Sequence, residues 1–186
     1  MSVQTWIARA MDLFGDIGAD FSKCRKYRFA LWRIWDKSKD KVMFIGLNPS
    51  TANETESDPT LTRVIAFGKR LGYGGVYMMN CFPWVSTDPD NLNVLGFKEY
   101  NDHMLKKVAD ECKDVIFAWG AFKVVSATGR DVELCKLFPC AKALVINKDG
   151  SPRHPLYVNG NTVPVAFKPE ICVKKESVSL REPPKI

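Results

Sequence analysis

The stretch Val42-Met-Phe-Ile-Gly-Leu47, running directly into Asn48-Pro-Ser-Thr-Ala52, decides how this chain is read. Six residues without a polar side chain have no solvent face to offer, which suits a strand covered on both sides, as in parallel sheets. A polar segment directly after such a strand stands at its carboxyl end, where open α/β sheets hold their ligands. The pattern recurs three times. Val76-Tyr-Met-Met-Asn80 leads into Cys81-Phe-Pro-Trp84, Val115-Ile-Phe-Ala-Trp119 into Gly120-Ala121, and Ala141-Lys-Ala-Leu-Val-Ile146 into Lys148-Asp-Gly-Ser-Pro-Arg-His-Pro-Leu-Tyr157.

Helical segments separate these runs. Asp58-Pro59 pairs an N-cap residue with a proline at the first helical position and opens a helix to about Leu71. Gly72-Tyr-Gly-Gly75 then reads as its stop and the following turn, since a phosphate-binding glycine loop would follow a strand. Further helices are expected over about 97–112 and 121–137. Trp6, Ile7, Ala10, Met11, Phe14 and Ile17 stand at three- and four-residue spacing, predicting an N-terminal helix over 5–17. Tyr27-Arg-Phe-Ala-Leu-Trp-Arg-Ile-Trp35 is rich in aromatic residues and reads as an additional strand. Strands alternating with helices predict an α/β fold: three layers, α/β/α, around a central, mostly parallel four-stranded sheet. Residues 1–167 read as a single domain and 168–186 as a basic, loosely ordered tail.

Composition sets outer bounds. A chain of 186 residues, 46% hydrophobic and 26% charged, can bury a core without a staple. The 27 Lys and Arg exceed the 21 Asp and Glu, giving +6, which permits a polyanionic partner without requiring one. Two histidines, His103 and His154, exclude a histidine-rich metal centre, and none of the six cysteines forms a Cys-x-x-Cys pair. Neither a signal peptide nor a run of about 18 apolar residues is present, so a reduced, cytoplasmic, monomeric protein away from membranes is expected, without metal or cofactor.

Each strand-end residue also has a plain structural reading. Asn48-Pro49 suits a turn, Asn80 a strand end, Trp119 a core position and His154 an exposed loop; their coincidence on one sheet edge favours a functional reading. Asp58 reads first as a helix cap, with a second reading as a carboxylate for chemistry. The cluster Lys23, Arg25, Lys26 and Arg28 is either a solvated face or a contact for a nucleic-acid backbone.

The segments Gly46-Leu-Asn-Pro49, Val76–Asn80, Ile116-Phe-Ala-Trp-Gly120 and His154-Pro-Leu-Tyr157, in this order, resemble the motifs of the uracil-DNA glycosylase superfamily. With Leu31-Trp-Arg-Ile-Trp35 and Arg153–Tyr157, they resemble an uncharacterised bacterial and phage branch of it. The resemblance covers about residues 27–157. It implies a uracil-DNA glycosylase-like fold and a base-flipping hydrolase of base excision and DNA repair, acting on a modified or mismatched pyrimidine in DNA. In that reading Asn48 holds the attacking water, His154 donates to the departing base, and Asp58 is a substitute carboxylate. Asn80 reads the base edge, with Phe67, Phe82 and Trp119 as further base contacts. Pro49, Ser50 and Arg153 meet DNA, and Leu156 or Tyr157 fills the space the base leaves. Asn at position 48 departs from the Asp of the most active branch, and the Ser that follows the His-Pro motif elsewhere is missing here. Two other expectations stand beside this one: a non-catalytic nucleic-acid or nucleotide-binding module of the same fold, and an N-glycosidase acting on free nucleosides or nucleotides.

Overall fold

The computed structural model describes residues 5–12, 15–88 and 91–167, residues 5–12 and 15 by their backbone. Two strands, β1 (Thr5–Asp12) and β2 (Gly15–Ser22), form an antiparallel hairpin with Ala8 opposite Ala19. β2 continues antiparallel onto β3 (Arg28–Ile34), and β3 pairs antiparallel with β5 (Gly75–Asn80). β5 and β6 (Asp114–Phe117) flank β4 (Lys41–Gly46), both parallel to it. Two-residue strands β7 (Lys142–Ala143) and β8 (Val165–Ala166) complete the far edge, the first parallel to β6 and the second antiparallel to β7. The order β1-β2-β3-β5-β4-β6-β7-β8 makes one mixed eight-stranded sheet, curled into a half-barrel.

This corrects the expected fold. The sheet is not a mostly parallel, four-stranded layer of a uracil-DNA glycosylase-like α/β/α sandwich, because antiparallel strands extend it at both ends. The N-terminal helix is also corrected. Residues 5–12 and 15–22 are strands, although their apolar spacing suits a helix. Trp6, Ala8 and Ala10 stand two apart as well, as do Ile17, Ala19 and Phe21. The outer edge of β3 would otherwise present unpaired N–H and C=O groups, and pairing it outweighs local helical periodicity.

Four helices pack on the sheet. α1 (Pro59–Arg70) begins as the sequence predicts: Oδ1 of Asp58 accepts from the Leu61 N–H at 2.7 Å. It buries Leu61, Val64 and Phe67 against Val42, Phe44 and Val76. Each such side chain contributes about 1.5–3 kcal/mol. On the opposite face lie α2 (Lys98–Ala109), α3 (Lys123–Ala127) and α4 (Arg130–Leu137), whose Leu105, Val108, Val125 and Leu134 pack with Met43, Ile45, Met79 and Phe117. The single helix expected over 121–137 is two, because Gly129 between them takes φ +72°, a left-handed conformation that ends one helix and starts the next. The tail 168–186 lies outside the described residues.

One irregularity in the sheet decides which face Arg28 takes. Asp20 pairs with Ala30 but the next residue, Phe21, pairs with Arg28, so Phe29 is an extra residue in β3. A bulge of this kind reverses the alternation of faces. Ala30, Trp32 and Ile34 face the α2 side, where regular alternation would also send Arg28. The bulge instead turns Arg28 to the α1 side, beside Leu31, Leu61 and Met78.

Candidate functional site

At the carboxyl ends of β4 and β5, on the α1 side, lies a cavity of about 140 Å3. A volume near 150 Å3 holds roughly one six-membered ring. Arg28, Leu31, Gly46 and Met78 come from the strands, Asn48, Ser50 and Ala52 from the loop after β4, and Asp58, Thr60 and Leu61 from the start of α1. Ser86, Thr87, Phe122 and His154 close it. Phe122 and His154 also belong to an adjoining hollow of about 330 Å3, which includes Asn147, Arg153 and Tyr157.

Arg28 dominates this cavity. It is 3% exposed. Nη1 donates to the Ala52 carbonyl at 2.7 Å and Nη2 to Oδ1 of Asn80 at 3.2 Å, while Nε has no partner among the described residues. Burial pulls the guanidinium down to about 10, with the Asp58 charge opposing that pull, so it stays protonated at neutral pH. No carboxylate of the described residues lies within ion-pair distance of it. A buried cation without an ion-pair partner is costly unless something else meets it.

Asn80 sits behind the cavity, 2% exposed, and its Nδ2 also lacks a partner. Gly46 lets the chain pass close to that amide: a Cβ at this position would stand 2.6 Å from the Met78 methyl and 3.1 Å from Nδ2. Two structural contacts fix the chain around Asn80 from the other face of the sheet. Nδ2 of Asn101 on α2 donates to the Asn80 carbonyl at 3.0 Å, and Nε of Arg130 on α4 donates to the Cys81 carbonyl at 3.1 Å. Arg130 is in turn held by Asp102 and Glu133.

The rim is fastened by arginines. Besides Arg28 on Ala52, Nη2 of Arg33 donates to the Asn53 carbonyl at 2.8 Å, and Arg25 grips Glu54 through two bonds of 2.7 and 2.9 Å. Oδ1 of Asn53 accepts from the Thr55 and Glu56 N–H groups, a local turn that keeps the loop compact. Nδ2 of Asn48 clamps the opposite wall, donating to the carbonyls of Pro49 at 3.0 Å and Ser86 at 2.7 Å. Its Oδ1 has no bond among the described residues. The hydroxyls of Ser50, Thr60 and Thr87 line the cavity without partners among those residues.

His154 caps the short 3-10 turn Pro155–Tyr157, with Nδ1 accepting from the Leu156 N–H at 3.4 Å. That contact places the proton of the neutral ring on Nε2. Burial lowers the imidazole below its ordinary value against the opposing Asp58 charge, which favours the neutral form.

The structure brings Asn48, Ser50, Asp58 and His154 together in one cavity. It places the other named residues elsewhere. Phe67, Phe82 and Trp119, expected to contact a base, are core rings with 1%, 3% and 2% exposure. Asn80 is joined to Arg28 instead of lying open to a base edge. Pro49 is buried beneath the rim, whereas Arg153, Leu156 and Tyr157 are exposed beyond it. The residues sequence reasoning missed are Arg28 as the cavity floor, and Asn101 and Arg130 as supports. Only the bulge could have singled out Arg28, and no sequence pattern announces it.

The fold and the cavity together define a mixed α/β half-barrel protein with a small polar-rimmed cavity at the carboxyl ends of β4 and β5. Residues 28–156 match the family described as "Protein of unknown function (DUF1643)", and the chain belongs to that family. No curated protein matches the chain, and neither does any solved structure. The resemblance to the uracil-DNA glycosylase superfamily is thereby corrected, since family and sheet architecture both differ from it. With it fall the glycosylase activity, its base-excision and repair context, and the two alternatives that borrowed the same fold. Among the described residues no cluster of His, Cys, Asp or Glu could hold a metal ion, and no helix is long and apolar enough to cross a membrane.

Proposed function

We propose that this protein binds a small ligand through an oxyanion head group, a phosphate or a carboxylate, which enters the cavity and meets Arg28. The observation that carries the reading is the buried guanidinium without an ion-pair partner, lining a cavity that an anion could fill. The unpartnered Nε of Arg28 supports it, since the guanidinium has a donor to spare and an oxyanion offers acceptor oxygens. The free hydroxyls of Ser50, Thr60 and Thr87 add further donors. Phe122 and His154, shared with the outer hollow, give the rest of a larger ligand a surface to lie on.

Isothermal titration calorimetry with inorganic phosphate, phenyl phosphate and acetate tests the reading. Single-stranded and duplex oligonucleotides belong in the same panel, because DNA remains the partner proposed from the charge excess and carries the same phosphate oxygens. Binding by at least one oxyanion, lost in Arg28→Met, is the expected result. Gly46→Ala is the companion variant: its Cβ would crowd the Asn80 amide, with the flexible end of Met78 as the other close neighbour at 2.6 Å. No binding by any member of the panel, or undiminished binding in both variants, overturns the proposal.

A further inference from the structure

The cavity that holds Arg28 also contains a carboxylate, and this narrows what can bind. Asp58 uses Oδ1 to cap α1, and its other oxygen has no hydrogen-bond partner among the described residues. Its charge is felt on both sides of the cavity, at Arg28 and at His154. An oxyanion drawn in by Arg28 therefore comes under the field of a second anion. If it is fully deprotonated, all its oxygens are acceptors and none can satisfy the Asp58 oxygen; two like charges then face each other across the cavity. An oxyanion that carries its own O–H turns this repulsion into a charge-assisted hydrogen bond.

On this basis, which rests on the oxyanion reading above, we infer that Asp58 makes the cavity selective for an oxyanion bearing a proton, hydrogen phosphate or a protonated phosphate monoester, over an aprotic one such as sulfate. Arg28 supplies attraction that any oxyanion would share. Asp58 supplies the discrimination. The hydroxyls of Ser50, Thr60 and Thr87 donate to the deprotonated oxygens, and Asp58, the one carboxylate lining the cavity, accepts from the hydroxyl. The assignment also accounts for a carboxylate lying inside an otherwise donor-rich cavity, where an Asn or Ser would cap α1 equally well.

The test compares inorganic phosphate with sulfate by calorimetry at pH 6, where a phosphate monoester is still about half protonated. Phosphate should bind at least about tenfold more tightly than sulfate, the factor expected from gaining one hydrogen bond to a charged group. Phenyl phosphate, run alongside, separates the sources: binding by both phosphates supports the monoester as occupant, and binding by inorganic phosphate alone supports the free ion. Asp58→Asn keeps the helix cap and removes the charge, so sulfate should gain affinity and the preference should collapse to within about twofold. Equal affinities for phosphate and sulfate in the unaltered protein, or a preference unchanged in Asp58→Asn, overturns the inference while leaving the oxyanion reading intact. Absence of binding by every oxyanion removes both.

Discussion

Arg28 donates from Nη2 to Oδ1 of Asn80 at 3.2 Å, a bond between two buried polar side chains on the neighbouring strands β3 and β5. It connects the site to the sheet. The same guanidinium holds the rim through Ala52, so one side chain joins floor, wall and cavity.

Arg28→Lys tests that geometry. An ammonium is a point donor without the planar fork, and it cannot reach both Ala52 and Asn80 from one place. The variant should lose about 1–3 kcal/mol, the cost of leaving a buried acceptor unsatisfied. Urea denaturation measures it, and an unchanged midpoint would contradict the bridging role.

Asp58 separates structure from selectivity. Asp58→Ala should cost about 0.5–2 kcal/mol through loss of the α1 cap, whereas Asp58→Asn should cost no more than a few tenths. Equal destabilisation by the two variants in urea melts would show that charge, and not capping, is what the helix needs there.

Arg130 carries an acid-sensitive part of the stability. Burial alone would raise the Asp102 and Glu133 carboxyls, but hydrogen bonds and charge from Arg130 and Lys98 outweigh it and hold both below the ordinary range. With folded values depressed, the unfolded chain takes up protons first as pH falls, so this stabilisation is complete above the ordinary carboxylate range and fades below about pH 4. Arg130→Met should cost roughly 3 kcal/mol at neutral pH and show a shallower loss in acid. Denaturation midpoints across pH 3–7 for both proteins provide the comparison.

Asp20 has the opposite sign in a different window. It is buried on β2 with Oδ1 unpartnered, and burial raises its carboxyl to about 6 although the Lys107 charge opposes the rise. A raised folded value means that the folded state keeps its proton longer than the unfolded one. The associated stability is fully present below about pH 4 and is lost as pH rises through 6. Asp20→Asn should therefore be flatter than the unaltered protein between pH 4 and 7, gaining up to about 3 kcal/mol at the upper end. Parallel curves for the two proteins would exclude the assignment.

Much of the central sheet was legible because its strands are apolar on both faces. The runs from Val42, Val76 and Val115 need no long-range information to be recognised, and all three became strands β4, β5 and β6. The Asp58 cap was equally plain, since capping is local chemistry. What failed depended on partners distant in sequence. Residues 5–22 pair as strands because β3 has an edge to cover, and a chain read alone does not show that edge. Asn48, Ser50, Asp58 and His154 could be gathered from their strand-end positions, but Arg28 could not. It stands in sequence with Lys23, Arg25 and Lys26, a cluster that reads equally as a solvated face or a nucleic-acid backbone contact, and those three are exposed. Phe67, Phe82 and Trp119 were aromatic residues near the right edge, and their rings point into the core clusters.

The extra residue Phe29 makes the position of the cation a matter of pairing register. Were the same sequence to pair without the bulge, Phe29 would take the place opposite Phe21, and strict alternation would carry Arg28 through the sheet to the α2 side. Deleting Phe29 would instead set Arg28 directly before Ala30, where regular alternation keeps it on the α1 side. The charge of this site therefore depends on β3 holding its bulge while Phe29 is present, and a one-residue slip of β3 against β2 would empty the cavity of its cation with the sequence unchanged.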